Sequence, residues 1–217
     1  MITISQAVET IVNQRIFIVE LLNDGLVNYS SLAKNIKPDV ESLLNKKVND
    51  GAIVMSLRRY VSVNKVQTTA KLEKMVRKLG DIIVRSNLAD YTFKNSDTLL
   101  KKQQKLISLL STKKDLFYTF SQGVYETTFV LSDIVSKEIP DIFNEERLIS
   151  YNYGLSSITI KLPAENIDQP GLYYYIFKRI AWEGINVLEV ISTTNEFTII
   201  LKDKDVDRAF SVIKRLK

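Results

Sequence analysis

Two strand-like segments seventy residues apart constrain the fold more than anything else in this chain. Glu126-Thr127-Thr128-Phe129-Val130-Leu131-Ser132-Asp133 and Glu196-Phe197-Thr198-Ile199-Ile200-Leu201-Lys202-Asp203 agree at four of eight positions. Thr92 and Lys94 likewise precede Thr159 and Lys161 by 67 residues. The offset grows by three between the comparisons, which places an insertion in the second copy, in its strand-to-helix loop. A chain built twice from one supersecondary unit buries its sheets by stacking or pairing those units.

The segments around these strands have a consistent period. Asp81–Arg85, Ala89–Phe93, Phe117–Phe120, Tyr125–Leu131, Leu148–Tyr153, Ser157–Leu162, Asn186–Ser192 and Glu196–Leu201 read as strands. Leu99–Leu110, Ile134–Phe143, Leu172–Trp182 and Val206–Leu216 carry helical spacing. The order is βαββαβ followed by βαββα.

The first 80 residues read differently. Ile4, Val8, Ile11, Val12, Ile16, Val19 and Leu22 recur at helical spacing, with Thr3 or Ser5 as a cap and Gly25 just past the end. Ser30 fits the start of a short helix holding Leu32, Ala33 and Ile36. Pro38 fits the first turn of a second, with Val40, Leu43, Leu44 and Val48 on one face and Gly51 at its end. Ala52–Val63 reads as two short strands reversing near Ser56–Arg58. Helix, short helix, turn at Lys37, short helix and hairpin is the order of a winged helix-turn-helix. A basic helical stretch, Thr68–Leu79, follows. The expected fold class is therefore α+β: an N-terminal winged helix over 1–66, a connecting helix over 67–80, and two ferredoxin-like units over 81–154 and 155–217.

Charge follows the same division. Residues 81–217 hold 18 Lys+Arg and 18 Asp+Glu, so the whole net charge of +5 lies in the first 80 residues. That excess fits a polyanion partner, or simply a solvated basic surface. With no Cys and no His, disulfides, thiolate nucleophiles, imidazole metal sites and Ser-His-Asp triads are excluded. No phosphate-binding glycine motif is present, and Glu145-Glu146 reads as surface charge. No enzyme activity, cofactor or metal is expected. The start lacks a secretory pattern and no run approaches ~18 apolar residues, so a cytoplasmic protein without membrane spans is expected.

Four stretches then carry a resemblance: Ser157–Pro163, Pro170-Gly171-Leu172, Ala181–Val187 and Val190–Thr193. In that order they resemble the ACT domain, particularly the regulatory ACT domains of aspartate kinases, and residues 81–154 look like a diverged partner ACT domain. The resemblance implies βαββαβ sandwiches that pair, with amino acids binding at the pairing interface. Matched residue by residue, Gly171, Leu172 and Tyr173 fall at ligand-loop positions, beside Asp168 and Gln169. Leu188, Glu189 and Thr194 fall on the following strand and its end. Glu189 stands where the family often has Asp, and it could receive an amine. In the residues themselves, Gly171 opens a helix whose free N–H groups suit a carboxylate. The same Pro170-Gly171 also serves as plain turn punctuation. The first unit's helix entry, Asn95-Ser96-Asp97-Thr98, has no glycine, and Asp97 reads as its cap. The kinase catalytic part has no counterpart in this chain.

A winged helix offers Lys37, Asn45, Lys46 and Lys47 to the DNA major groove, and Arg58 and Arg59 from the wing to phosphate or the minor groove. Asp39, Glu41 and Asp50 oppose that use, and winged helices also mediate protein contacts. The leading expectation is a homodimeric transcription regulator. It would sense an amino acid or similar small effector and couple it allosterically to double-stranded DNA. The alternative is a non-DNA-binding regulatory subunit that controls an amino-acid biosynthetic enzyme through protein contacts.

Overall fold

A computed structural model describes residues 2–64 and 68–217. The start of the expected connecting helix, and its junction with the N-terminal module, lie outside the described residues. The chain divides into two compact units, Met1–Glu73 and Lys74–Lys217.

Among its described residues the first unit's regular elements are all helices: α1 (Ile4–Asn13), α2 (Ile16–Asn23), α3 (Tyr29–Leu44), α4 (Asp50–Asn64) and the start of α5 (Thr68–Val76), which runs into the second unit. Thr3 starts α1 through a reciprocal capping box with Gln6. Asn28, rather than Ser30, caps α3 by accepting from Ser31 N–H at 3.1 Å. Ala7, Val8, Ile11, Val12, Leu32, Ala33, Ile36 and Val40 turn inward from α1 and α3 and are buried together.

Two expectations fail here, and with them the winged helix. The turn expected at Lys37 does not exist, because α3 runs unbroken through Pro38. Proline cannot donate to the Lys34 carbonyl, but Lys34 and Pro38 are both exposed, so water can take that bond. The hairpin expected over Ala52–Val63 is α4. Its buried residues Ile53, Leu57, Tyr60 and Val61 lie at i, i+4, i+7 and i+8, a helical stripe that alternation would split between two faces. Each such fully buried aliphatic side chain is worth about 1.5–3 kcal/mol, more than the helix penalty of a β-branched residue. Tyr60 Oη reaches Asn13 Oδ1 at 2.5 Å and ties α4 to α1.

The second unit is one antiparallel sheet with helices. Its elements are β1 (Ile82–Lys94), α6 (Leu99–Ser111), β2 (Tyr118–Gln122), β3 (Glu126–Ser132), α7 (Ile139–Ile142), β4 (Leu148–Lys161), α8 (Leu172–Trp182), β5 (Glu189–Ser192), β6 (Glu196–Lys202) and α9 (Val206–Lys214). The strand order is β2-β3-β1-β4-β6-β5. The two strands expected at 81–93 are one strand, β1, and the two at 148–162 are one strand, β4. They pair along their lengths, with register shifts between Arg85 and Leu88 and between Leu88 and Asp90. Each long strand serves both halves. The C-terminal part of β1 pairs β3, and the C-terminal part of β4 pairs β6.

The register carries the internal repeat. Thr92 faces Thr128 and their hydroxyls lie 2.9 Å apart; Thr159 faces Thr198 with hydroxyls 2.7 Å apart. Thr92 and Thr159 differ by 67 positions and Thr128 and Thr198 by 70, the two offsets found in the sequence.

Alternate residues go to different cores. Ala89, Tyr91, Phe93, Phe129 and Leu131 pack with Leu99, Leu106 and Leu110 of α6 and with Val135, Ile139 and Phe143. On the opposite face Leu88, Val130, Leu155 and Ile200 form another cluster, joined by Phe117 beside β2 and by Leu188 and Ile191 at β5. β2 and β5 are the two ends of the strand order, and residues beside or within each of them pack against this cluster.

Candidate functional site

The candidate site lies at the entry to α8. The chain leaves β4, makes a 3₁₀ turn at Ala164–Asp168 and enters α8 at Gly171, with φ 95° and ψ −7°. That conformation is costly for a residue with a Cβ. No side chain caps the helix start. The first hydrogen bond back to the loop, from Tyr175 N–H to the Gly171 carbonyl, leaves the N–H groups of Leu172 and Tyr173 ahead of the helical ladder. At the other end of α8, Gly184 (φ 68°) closes the helix, with Ile185 N–H bonded to the Ile180 carbonyl.

The helix start borders a cleft of about 590 Å³ lined by residues 166–174 and by Thr193 and Thr194 of the β5–β6 turn. Its walls are fixed. Asn166 Nδ2 donates to the carbonyls of Pro163 and Thr194, both at 2.8 Å, tying the loop to the turn. Tyr173 packs its ring 5.0 Å from Phe197 and sets its hydroxyl 2.7 Å from Ser192 Oγ. The cleft thus joins a positive helix end, hydroxyls and backbone carbonyls to an apolar wall.

Of the residues singled out in the sequence, Asp168, Gln169, Gly171, Leu172, Tyr173 and Thr194 come together as lining of this cleft. Leu188 and Glu189 do not line it. Leu188 packs against the Leu88–Val130 cluster, and Glu189 pairs Ile200 on β5. Burial, and then the charges of Asp90 and Glu126, hold the Glu189 carboxyl above its usual range. Asn166, Tyr174 and Thr193 also line the cleft and were missed. Asn166 had a signal in the repeat: Asn95 Nδ2 reaches the Gly123 carbonyl at 2.9 Å, the same loop-to-turn clamp in the other half.

In the first half, the expected cap Asp97 is exposed. Ser96 Oγ instead accepts from Leu99 N–H at 3.1 Å. Glu146, expected on the surface, has a side chain only 3% exposed.

The six residues expected to meet DNA lie in the helical unit, without a wing. Lys37 is on α3 and bonds Asp50 Oδ1 at 2.7 Å; that hydrogen bond raises the lysine and lowers the aspartate. Asn45 ends α3 in the left-handed region (φ 51°), followed by exposed Lys46 and Lys47. Arg58 lies over the Tyr29 ring at 5.8 Å, and Arg59 shares with Lys46 the rim of an apolar groove containing Ile2, Ala52 and Met55.

No family model and no curated protein matches this sequence. Solved structures do. The regulatory subunit of aspartate kinase from Thermus thermophilus superposes with a TM-score of 0.52 at 10% identity, over 64% of this chain and 97% of that one. The fold is similar to that of aspartate kinase regulatory domains. Aspartate kinase from Clostridium acetobutylicum gives a TM-score of 0.52 at 14% identity, over 62% of this chain. The kinase from Synechocystis gives 0.51 at 16% identity, over 63%. This chain covers only 34% of the Clostridium enzyme and 26% of the Synechocystis one. Among the described residues, no helix is long and apolar enough to cross a membrane, and no cluster of three or more His, Cys, Asp or Glu could hold a metal.

Proposed function

We propose that this chain is an amino-acid-sensing regulatory protein whose effector binds at the entry to α8. The observation that carries the reading is the uncapped, glycine-started N-terminus of α8 opening on a cleft with its own hydroxyl and carbonyl groups. A free amino acid matches it: the carboxylate meets the N–H groups of Leu172 and Tyr173, and the ammonium meets carbonyls and hydroxyls at the Thr193-Thr194 turn. The likeness to a regulatory subunit of aspartate kinase supports this reading. So does the repeated β-α-β-β-α order with matched threonine pairs, which we read as two ACT units sharing the long strands β1 and β4.

We further propose that the helical N-terminal unit carries the output through protein contacts, as in a regulatory subunit that controls a biosynthetic enzyme. The case for DNA rested on a wing and a turn at Lys37; residues 29–44 and 50–64 are continuous helices, so that reading is not carried further. Kinase chemistry is not proposed either, since the chain spans about a third of the Clostridium kinase. Calorimetric titration of the full chain with the twenty amino acids tests the sensing role. At least one amino acid should bind saturably, and Gly171→Gln should weaken it at least tenfold. No binding across the panel would sink the proposal.

A further inference from the structure

The entries to α6 and α8 are built alike up to one point. Both loops are clamped to their hairpin turn by an asparagine amide, Asn95 on Gly123 and Asn166 on Thr194. Both helices start with a buried leucine, Leu99 at 4% and Leu172 at 2% exposure. The residue before it differs: Gly171 at α8, Thr98 at α6. Thr98 uses its hydroxyl, which donates to Glu146 Oε1 at 2.6 Å. Ser96 Oγ donates to the other oxygen, Oε2, also at 2.6 Å. Lys102, one turn into α6, places its ammonium 3.5 Å from Oε1 and bonds the Asn144 carbonyl.

We infer that Glu146 is a built-in ligand of the first half: its carboxylate fills the entry to α6 that an effector carboxylate would otherwise occupy, so each chain takes up one effector. The inference rests on the proposed role of the α8 cleft only for the word effector; the filling of α6 stands on its own contacts. The carboxylate has one hydroxyl donor on each oxygen, a nearby ammonium and almost no water, the set of partners a bound carboxylate needs. Burial by itself would push the Glu146 carboxyl up; the hydroxyls of Ser96 and Thr98 and the Lys102 ammonium outweigh it and hold it below its usual range. At the α8 entry Asp168 lines the cleft, but among the described residues no side chain bonds the helix start. With Leu99 and Leu172 as equivalent helix starts, 73 positions apart, Lys102 corresponds to Tyr175, so the repeat keeps the clamp but not the ammonium of the plug.

Amide NMR of the full chain, titrated with sodium acetate against sodium chloride at equal ionic strength, tests this. In the wild type, acetate should leave the amides of residues 98–101 unmoved. In Glu146→Ala, the same amides should shift saturably with acetate, and the variant's lowered melting temperature should recover with it. Methylammonium should do neither. Acetate-dependent shifts at 98–101 in the wild type, or none in Glu146→Ala, overturn the inference. If Glu146→Ala does not fold, the wild-type arm still decides, together with stoichiometry: two amino acids bound per wild-type chain contradict it. Failure of every amino acid to bind would remove the sensing role without touching the acetate result.

Discussion

Gly171 gives the sharpest quantitative test of the helix entry. Its φ of 95° is where a Cβ meets the backbone, at a gross cost of about 1–2 kcal/mol for an L residue. Alanine also narrows the unfolded ensemble, an effect of about 0.4–1 kcal/mol in the other direction. The net loss for Gly171→Ala is therefore about 1 kcal/mol. In a domain of about 150 residues that lowers the melting temperature by roughly 2–4 °C. The residue type should grade the effect. Asparagine tolerates the left-handed region and should lose less than alanine; valine, stiff at χ1, should lose more. Thermal melts of the full chain followed by circular dichroism, with Gly, Asn, Ala and Val at position 171, measure the series. Equal melting temperatures for all four, or asparagine below alanine, would refute the strained entry and with it the reason for glycine there.

Three further outcomes follow from the fold. Met55 lies on the exposed face of α4, so Met55→Gly should cost about 1 kcal/mol in urea unfolding, whereas a residue beside a hairpin reversal would tolerate glycine. Thr128→Val and Thr159→Val each orphan a buried hydroxyl, Thr92 and Thr198, and each should lose about 1–3 kcal/mol. A negligible loss at one of them would break the equivalence of the two halves. Asp90 is buried, hydrogen-bonded by Asn152 Nδ2 at 3.0 Å, drawn on by Lys202 and near Glu189; burial first of all holds its carboxyl above the usual range. The folded state therefore binds this proton more tightly than the unfolded state, and stability falls as pH rises from the ordinary carboxylate range through the raised one. Asp90→Asn should gain on the wild type as pH rises above the ordinary carboxylate range, and a pH-independent difference in stability would contradict this.

Much of the second unit was legible because its signals are local. α8 has the boundaries its apolar spacing gave, and β3 and β6 lie where the matching octets put them. The sequence read breaks where the chain has irregularities within strands. Asn87 and Gly154 take positive φ inside β1 and β4, so their neighbours looked like separate strands when each pair is one bent strand. The helical unit was harder. Ala52-Ile53-Val54 and Tyr60-Val61-Ser62-Val63 have strand composition, and only the Ile53-Leu57-Tyr60-Val61 spacing marks the helix that burial selects. Pro38 fits a helix start by propensity, but its exposure lets it sit inside α3. The site divided in the same way. The residues adjacent to Gly171 were found, whereas Glu189 was drawn toward the cleft by family pattern although β5 holds it against Ile200. Glu146 beside Glu145 reads as surface because its partners, Ser96, Thr98 and Lys102, are more than forty positions away in sequence.

The central claim is that an amino acid binds at the entry to α8. Amide NMR of the full chain, with the amino acid that gives a calorimetric signal, locates the site directly. The largest saturable shifts should fall on residues 171–174 and on Thr193 and Thr194, with Leu188 and Glu189 little changed. Shifts centred on β5, or confined to residues 2–64, would contradict the account.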